Sequence, residues 1–278
     1  MTEGGESWAL ANKIRAKIKF FVILRLKLSF VFTKRQICDI ITKKGQRYSK
    51  MYLYETHLHT YPVSGCSKAS VRECVEFYKN MGYKGLFITN HFIDGNMNYS
   101  RSAPYAERIE FYFSDYEEGK RIGEELGIDV FCGIETSYGG TDFLVYGLDK
   151  AWFLAHPEIA EMKKSRQLPY YMENGALVIQ AHPFREAGYI DHIRLFPRCV
   201  HGVEATNTSR IGFENEMARI YAEKYNLIQI AGSDNHVGAG CRRLGGIQTL
   251  QPIADELDMV AKVKNGEFEC FTRMIPEQ

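Results

Sequence analysis

Leu53-Tyr54-Glu55-Thr56-His57-Leu58-His59 is a short β-rich run that ends in two histidines one residue apart. Side chains of a strand alternate with a period of two, so His57 and His59 project to one side, where their imidazoles can share an ion. Alone, such a pair reads more readily as two polar residues closing a strand. The deciding feature is what recurs downstream. Further β-rich runs fall at Gly85–Thr89, Val130–Ile134, Phe143–Tyr146, Leu177–Gln180, Gly202–Ala205 and Ile228–Ala231. Helical periodicity separates them at Ser70–Met81, Ala103–Leu126 (with a break near Ser114), Ala151–Glu173, Phe213–Tyr225 and Ile253–Asn265. Seven strands alternating with helices predict an α/β barrel, in which residues just beyond the strands gather at one end.

Those strand ends carry one kind of chemistry. His91 follows the second run and Glu135 the third, His182 lies in Ala181-His182-Pro183, Glu204 in Val203-Glu204, and Asp234 and His236 in Gly232-Ser233-Asp234-Asn235-His236. Buried charged groups are costly unless paired or bound to cations, so independent strands ending in His or carboxylate point to a metal cluster. His156, His192 and His201 fall away from these blocks and read as surface or structural. Tyr105, Phe111, Tyr112, Phe113 and Tyr116 have the helical spacing of ordinary packing. Gly238, Gly240, Gly245 and Gly246 read as turn residues.

Composition bounds the rest. The 278 residues are 45% hydrophobic and 25% charged with a formal net charge of +1, which gives no strong pull toward nucleic acid or membrane. Residues 1–50 hold 12 Lys and Arg against 3 Asp and Glu, leaving 23 against 31 in the remainder. This segment reads as a basic N-terminal extension, disordered or not native, with a basic amphipathic helix on an anionic membrane as the functional alternative; residues 51–278 form the catalytic domain. No apolar run of about 18 residues predicts a membrane-inserted helix. Cys38, Cys66, Cys74, Cys132, Cys199, Cys241 and Cys270 contain no C-x-x-C pair, which fits a reducing cytoplasm better than a disulfide framework.

The blocks His57-Leu58-His59-Thr60, Ile88-Thr89-Asn90-His91, Gly133-Ile134-Glu135, Ala181-His182-Pro183-Phe184, Gly202-Val203-Glu204 and Gly232-Ser233-Asp234-Asn235-His236, in this order, resemble the PHP (polymerase and histidinol phosphatase) superfamily across nearly all of Met51–Phe271. The resemblance implies a distorted seven-stranded (β/α)7 barrel that hydrolyses phosphate esters with two or three divalent ions, zinc, manganese or iron. It makes His57, His59, Glu135 and Asp234 ligands of one ion, with Glu135 bridging to a second that His182 also holds, and His91 and His236 ligands of a third. Glu204 is a ligand or the partner that orients one. Two stretches depart from the pattern. Ser64-Gly65-Cys66 puts Cys66 at a further ligand position, as thiolate or as a small non-ligand residue, and Tyr146-Gly147-Leu148-Asp149 offers only Asp149 where some relatives have a histidine.

Such ions would clamp a phosphate and acidify a bridging water, the expected nucleophile. Arg185 is the first choice for a phosphate-binding cation, with a surface pair to Glu186 as the alternative; Arg101, Arg210, Arg242 and Arg243 stand in reserve. Asp234 or His236 can relay the proton to the leaving group. The expected substrate is a small phosphorylated molecule or nucleotide. Alternatives are an exonuclease acting on a nucleic-acid end, an amidohydrolase, and a non-catalytic metal-stabilised binding module. The first is weakened by the acidic body and the second by Glu135 standing where a bridging lysine is usual. The completeness of the ligand set weighs against the third. Oligomeric state has no signal in the sequence.

Overall fold

A computed structural model describes residues 51–275, so the expectation for residues 1–50 lies outside the described residues. The seven expected apolar runs become β1 (Tyr52–Leu58), β2 (Gly85–Ile88), β3 (Asp129–Tyr138), β4 (Thr141–Tyr146), β5 (Leu177–Ala181), β6 (Gly202–Asn207) and β7 (Ile228–Gly232). Two strands add to them, β8 (Arg243–Thr249) and β9 (Glu269–Met274). All nine join one sheet in the order β7-β6-β5-β4-β3-β2-β1-β8-β9. The sheet curls until it nearly closes: β7 packs beside β1 and β8, and Asn235, just past β7, bridges to Leu58.

The expected count of seven is therefore corrected to nine. β9 is exposed along most of its length and presents no apolar run, and β8 contains Gly245-Gly246, read as a turn. Both glycines are strand residues, and a Cβ on Gly246 would come within 2.0 Å of the Tyr54 carbonyl oxygen, so only glycine lets β8 lie this close to β1. The sheet is also not all parallel. β1, β2 and β3 run parallel, as do β5, β6 and β7. β4 is antiparallel to both β3 and β5, and β8 is antiparallel to β1 and β9.

Alternation sorts the side chains. Tyr54, Phe87, Phe131, Leu144, Leu177, Ile179, Ile230 and Ile247 form one buried cluster, against which Met259, Val260 and Val263 pack. Their neighbours Leu86 and Ile88, or Cys132, Ile134, Phe143 and Val145, belong to separate clusters on the other face. Each fully buried side chain of this size contributes about 1.5–3 kcal/mol. In β1 a register shift between Glu55 and Leu58 inverts the phase. Leu58 joins the cluster opposite to that of Tyr54, and His57 and His59 turn toward the end of the barrel, the usual effect of a bulge beside a site.

Among the described residues, six α-helices cover the sheet: α1 (Val71–Asn80), α2 (Tyr105–Leu126), α3 (Lys150–Ala155), α4 (Lys164–Glu173), α5 (Gly212–Tyr225) and α6 (Glu256–Asn265). Ser70 caps α1 in a capping box with Glu73. α2 runs unbroken through Ser114 and stops at Gly127 in the left-handed region. The helix expected over 151–173 is instead split. Pro157 lacks an N–H and pushes the preceding residue out of the helical region, so α3 ends at His156, and a 3-10 turn, Pro157–Glu161, precedes α4.

Candidate metal centre

Glu135 is the middle of the arrangement. Its Oε1 lies 3.1 Å from His57 Nε2 and 3.4 Å from His182 Nε2, and its Oε2 lies 3.4 Å from His59 Nε2 and 2.7 Å from His91 Nδ1. Asp234 faces it: Oδ1 is 3.5 Å from His57 Nε2, 3.4 Å from His59 Nε2 and 3.3 Å from His236 Nδ1, while Oδ2 is 3.9 Å from His182 Nε2. The seven residues expected to gather here from five strand ends share one place.

The electrostatics of this cluster call for a cation. Both Glu135 oxygens are buried without a hydrogen-bond partner, a state that costs several kcal/mol for a carboxylate unless positive charge meets it. Burial would push the Glu135 carboxyl up, but His91, His57 and His59 overcome it and hold it well below its ordinary range. Asp234 behaves likewise, through His57 and His59. His59 goes the other way: burial, then His236 and His91, drive its pKa well down. Ligand atoms converge in four groups, His59 with His91 and His236; His57 with His182 and Glu204; His57 with His59 and Asp234; and Glu135 with Asp142 and His182. Imidazole nitrogens mixed with carboxylate oxygens make a donor set suited to divalent metal ions.

A shell of fixed partners aims the donors. His57 Nδ1 is 3.0 Å from Glu204 Oε1, and Glu204 Oε2 accepts from the His182 N–H at 3.2 Å and from Asn207 Nδ2 at 2.9 Å. Glu204 thus stands behind the His57 ring with both oxygens engaged, which leaves Nε2 as the outward nitrogen. His59 Nδ1 is 3.0 Å from Ser64 Oγ, which donates to Asn90 Oδ1 at 2.8 Å and accepts from the His91 N–H at 3.0 Å. His236 Nδ1 lies 2.9 Å from the Asp234 carbonyl oxygen. Beneath them, Glu55 accepts from the N–H groups of Thr56, His57 and Ser233 and from Tyr78 Oη, tying β1 to the end of β7.

Asp142 is the site residue that sequence reasoning missed. It lies at the start of β4, and an all-parallel reading puts that end away from the cluster. Because β4 is reversed, Asp142 is buried beside His182 Nε2, at 4.0 Å, and Arg185 Nη1, at 3.8 Å. Burial, with Glu135 adding to it, raises its carboxyl above the ordinary range. The signal was present in Gly139-Gly140, whose positive φ values of 57° and 84° make the tight turn of a hairpin. The same reversal carries Asp149 to the opposite end of the strand, where it caps α3 by accepting from the Trp152 N–H, so it is no counterpart of a histidine ligand.

A cleft of about 930 Å³ opens over the cluster, lined in part by Cys66, Lys68, His91, Asp142, Arg185, Arg210, Asp234, His236, Arg242 and Arg243. Arg185 forms no ion pair with Glu186; it points inward, under Tyr189 at 5.6 Å from the ring centre, and its Nε is buried and unbonded, as is that of Arg210. Arg101 turns away to the Gly95 carbonyl. Cys66 lies against His236 and His91; burial would push its thiol up, but hydrogen bonding to these rings holds it at about 6. The remaining histidines stand apart: His156 stacks on Trp152, His192 pairs with Asp191 and His201 accepts from the Val178 N–H. The aromatic residues of α2 pack into or against a core cluster.

No family model matches the chain, and no curated protein matches it in sequence. Among solved structures, it is similar to a two-domain Bacteroides vulgatus protein containing a predicted PHP-like metal-dependent phosphoesterase, with a TM-score of 0.59 and 14% identity over 80% of this chain and 65% of that one. PsfC from Pseudomonas syringae is similar at a TM-score of 0.52 and 15% identity, over 81% of this chain and 92% of that one. This chain therefore spans just under two thirds of the length of the Bacteroides protein. At these identities the likeness is one of fold, shared with the Bacteroides protein that contains a predicted PHP-like domain.

Proposed function

We propose that this protein is a metal-dependent phosphoesterase acting on small phosphorylated molecules, nucleotides among them. The observation that carries the reading is the Glu135 carboxylate, buried with both oxygens unbonded inside a ring of histidines. Bound divalent ions there supply Lewis acidity toward phosphate oxygens and acidify a water. The proposed ligands are His57, His59, Glu135 and Asp234 for one ion, His182 with Glu135 for the next, and His91 with His236 for a third.

The remaining work falls to the chain's own side chains. Arg185 is positioned to hold two phosphate oxygens, since its guanidinium faces the cleft with Nε free of any partner. Asp142, at 3.8 Å, keeps that guanidinium directed at the cluster. Lys68, Arg210, Arg242 and Arg243 make the rim cationic, and no ion pair engages them among the described residues. A rim of this kind draws in and retains anionic substrates.

The test is to purify the full chain, load it with zinc or manganese, and assay phosphomonoesters, nucleoside bisphosphates, short oligonucleotides and amides. Release of phosphate from a small ester is expected, with turnover reduced at least about 100-fold in Asp234→Asn while the thermal unfolding profile stays cooperative. Bound metal without turnover on any substrate would assign the barrel to binding instead, and hydrolysis of amides alone would make it an amidohydrolase.

A further inference from the structure

Asp115 is a buried carboxylate of α2 that the proposed chemistry leaves unused. Its Oδ2 accepts from Thr60 Oγ1 at 2.7 Å, from the Val63 N–H at 3.3 Å and from Asn90 Nδ2 at 3.1 Å. A backbone N–H can only donate, so that oxygen is an acceptor, and the end of Asn90 that meets it is the amide NH2. The other end of Asn90 agrees, since its Oδ1 accepts from the Thr60 N–H at 2.7 Å. With the amide fixed in this sense, Oδ1 also takes the Ser64 hydroxyl proton, at 2.8 Å. Ser64 Oγ has one proton, now committed, and the His91 N–H donates to it. Toward His59 Nδ1, at 3.0 Å, Ser64 Oγ can therefore only accept.

We propose that Asp115 is a positioning residue which, through Asn90 and Ser64, locks the neutral His59 ring with its proton on Nδ1 and its lone pair on Nε2. The purpose of the lock rests on the metal reading of this centre. Glu135 Oε2 and Asp234 Oδ1 each lie 3.4 Å from His59 Nε2. A ring free to choose would turn its proton toward those carboxylates and close that nitrogen to an ion. The hydrogen bonds running back to α2 remove the choice before any ion arrives. Asp115, Thr60, Asn90 and Ser64 are all buried, so solvent does not replace a lost link.

Nitrogen-15 NMR of the histidine side chains reads the tautomer directly, in the metal-free full chain and mildly alkaline buffer, with His59 assigned by its loss in His59→Gln. A protonated Nδ1 and an unprotonated Nε2 are expected. Asp115→Leu, which keeps the volume and removes the acceptor, should move the proton to Nε2 in a measurable fraction of molecules and weaken zinc binding about 10- to 100-fold in competition with a chelator. Asp115→Asn keeps an oxygen for the Val63 N–H and Thr60, and should restore both tautomer and affinity. Ser64→Ala acts at the last link without touching α2 and should release the proton likewise, which keeps the lock open to refutation should Asp115→Leu fail to fold. A proton on Nε2 in the unaltered chain would overturn the lock, as would a folded Asp115→Leu or Ser64→Ala chain with unchanged tautomer. Asp115→Asn losing as much as Asp115→Leu would overturn it in favour of charge alone. Because the tautomer is read without metal, failure of zinc to bind the unaltered chain would overturn the metal reading by itself.

Discussion

His182 and Asp234 adopt positive φ, 25° and 53°, although neither is glycine. Such backbone costs on the order of 1–3 kcal/mol and persists where the surroundings impose it. Here the N–H of His182 is pinned by Glu204, and the residues flanking Asp234 are held by Ser209 and by the β1 backbone. His201 shows the opposite use of the same side chain, fixed in its neutral form by the Val178 N–H at 3.1 Å to Nδ1. Burial, then the charge of Lys264, lowers its pKa from 6.5 to about 4. Because the folded value is depressed, both states are neutral above about pH 6.5 and the contribution is complete there; as pH falls from 6.5 toward 4 the unfolded chain takes up the proton first and stability is lost. The nominal size is about 3 kcal/mol, and solvent around a half-exposed ring reduces it to about 1 kcal/mol. His201→Gln, which keeps an acceptor for Val178, should therefore lose about 1 kcal/mol less than the unaltered chain between pH 7 and pH 4 in urea titrations; parallel pH profiles would refute the assignment.

Among the elements, the β3–β4 hairpin matters most for the site, because it brings Asp142 to the cluster and rests against the segment that follows His182. A Cβ on Gly140, at φ 84°, would meet Ile190 Cγ1 at 2.7 Å. Gly140→Ala should destabilise the fold by about 1–2 kcal/mol from the backbone conformation alone, and should raise KM more than it lowers kcat, since the displaced residue belongs to the segment carrying Arg185 rather than to the cluster. An unchanged KM would show that the segment does not position substrate. This hairpin also explains what the sequence allowed to be read. Phe143–Tyr146 was legible as a strand from its apolar run, but its direction was not, because direction resides in a two-glycine turn and not in hydrophobicity. The clustered histidines were legible because strand ends concentrate them. Ser64, Asn90 and Asn207 were not, since small polar residues that hold the cluster's side chains in place look like loop residues until the chain folds. β8 and β9 were missed because close approach to β1 calls for glycines in one, and the other is exposed along most of its length.

For the molecule as a whole, the cluster sets a test between two ways of neutralising buried carboxylates. If protonated imidazoles alone balance Glu135 and Asp234, divalent ions have nothing to add and chelators change nothing. If ions are the native counter-charge, binding to the folded state alone stabilises it by RT ln(1 + [L]/Kd), about 3–4 kcal/mol at 100 to 1,000 times Kd. For a barrel of this size each kcal/mol moves Tm by about 2–4 °C, so saturation with zinc or manganese should raise Tm by about 10 °C over the chelated protein in differential scanning calorimetry. Glu135→Gln should erase most of that difference, because the shared carboxylate bears on histidines His57, His59, His91 and His182 at once. A Tm that ignores both metal and chelator would leave the histidines as the counter-charge, and hydrolysis would then need another source of electrophilic assistance, for which Arg185, 3.8 Å from Asp142, is the candidate.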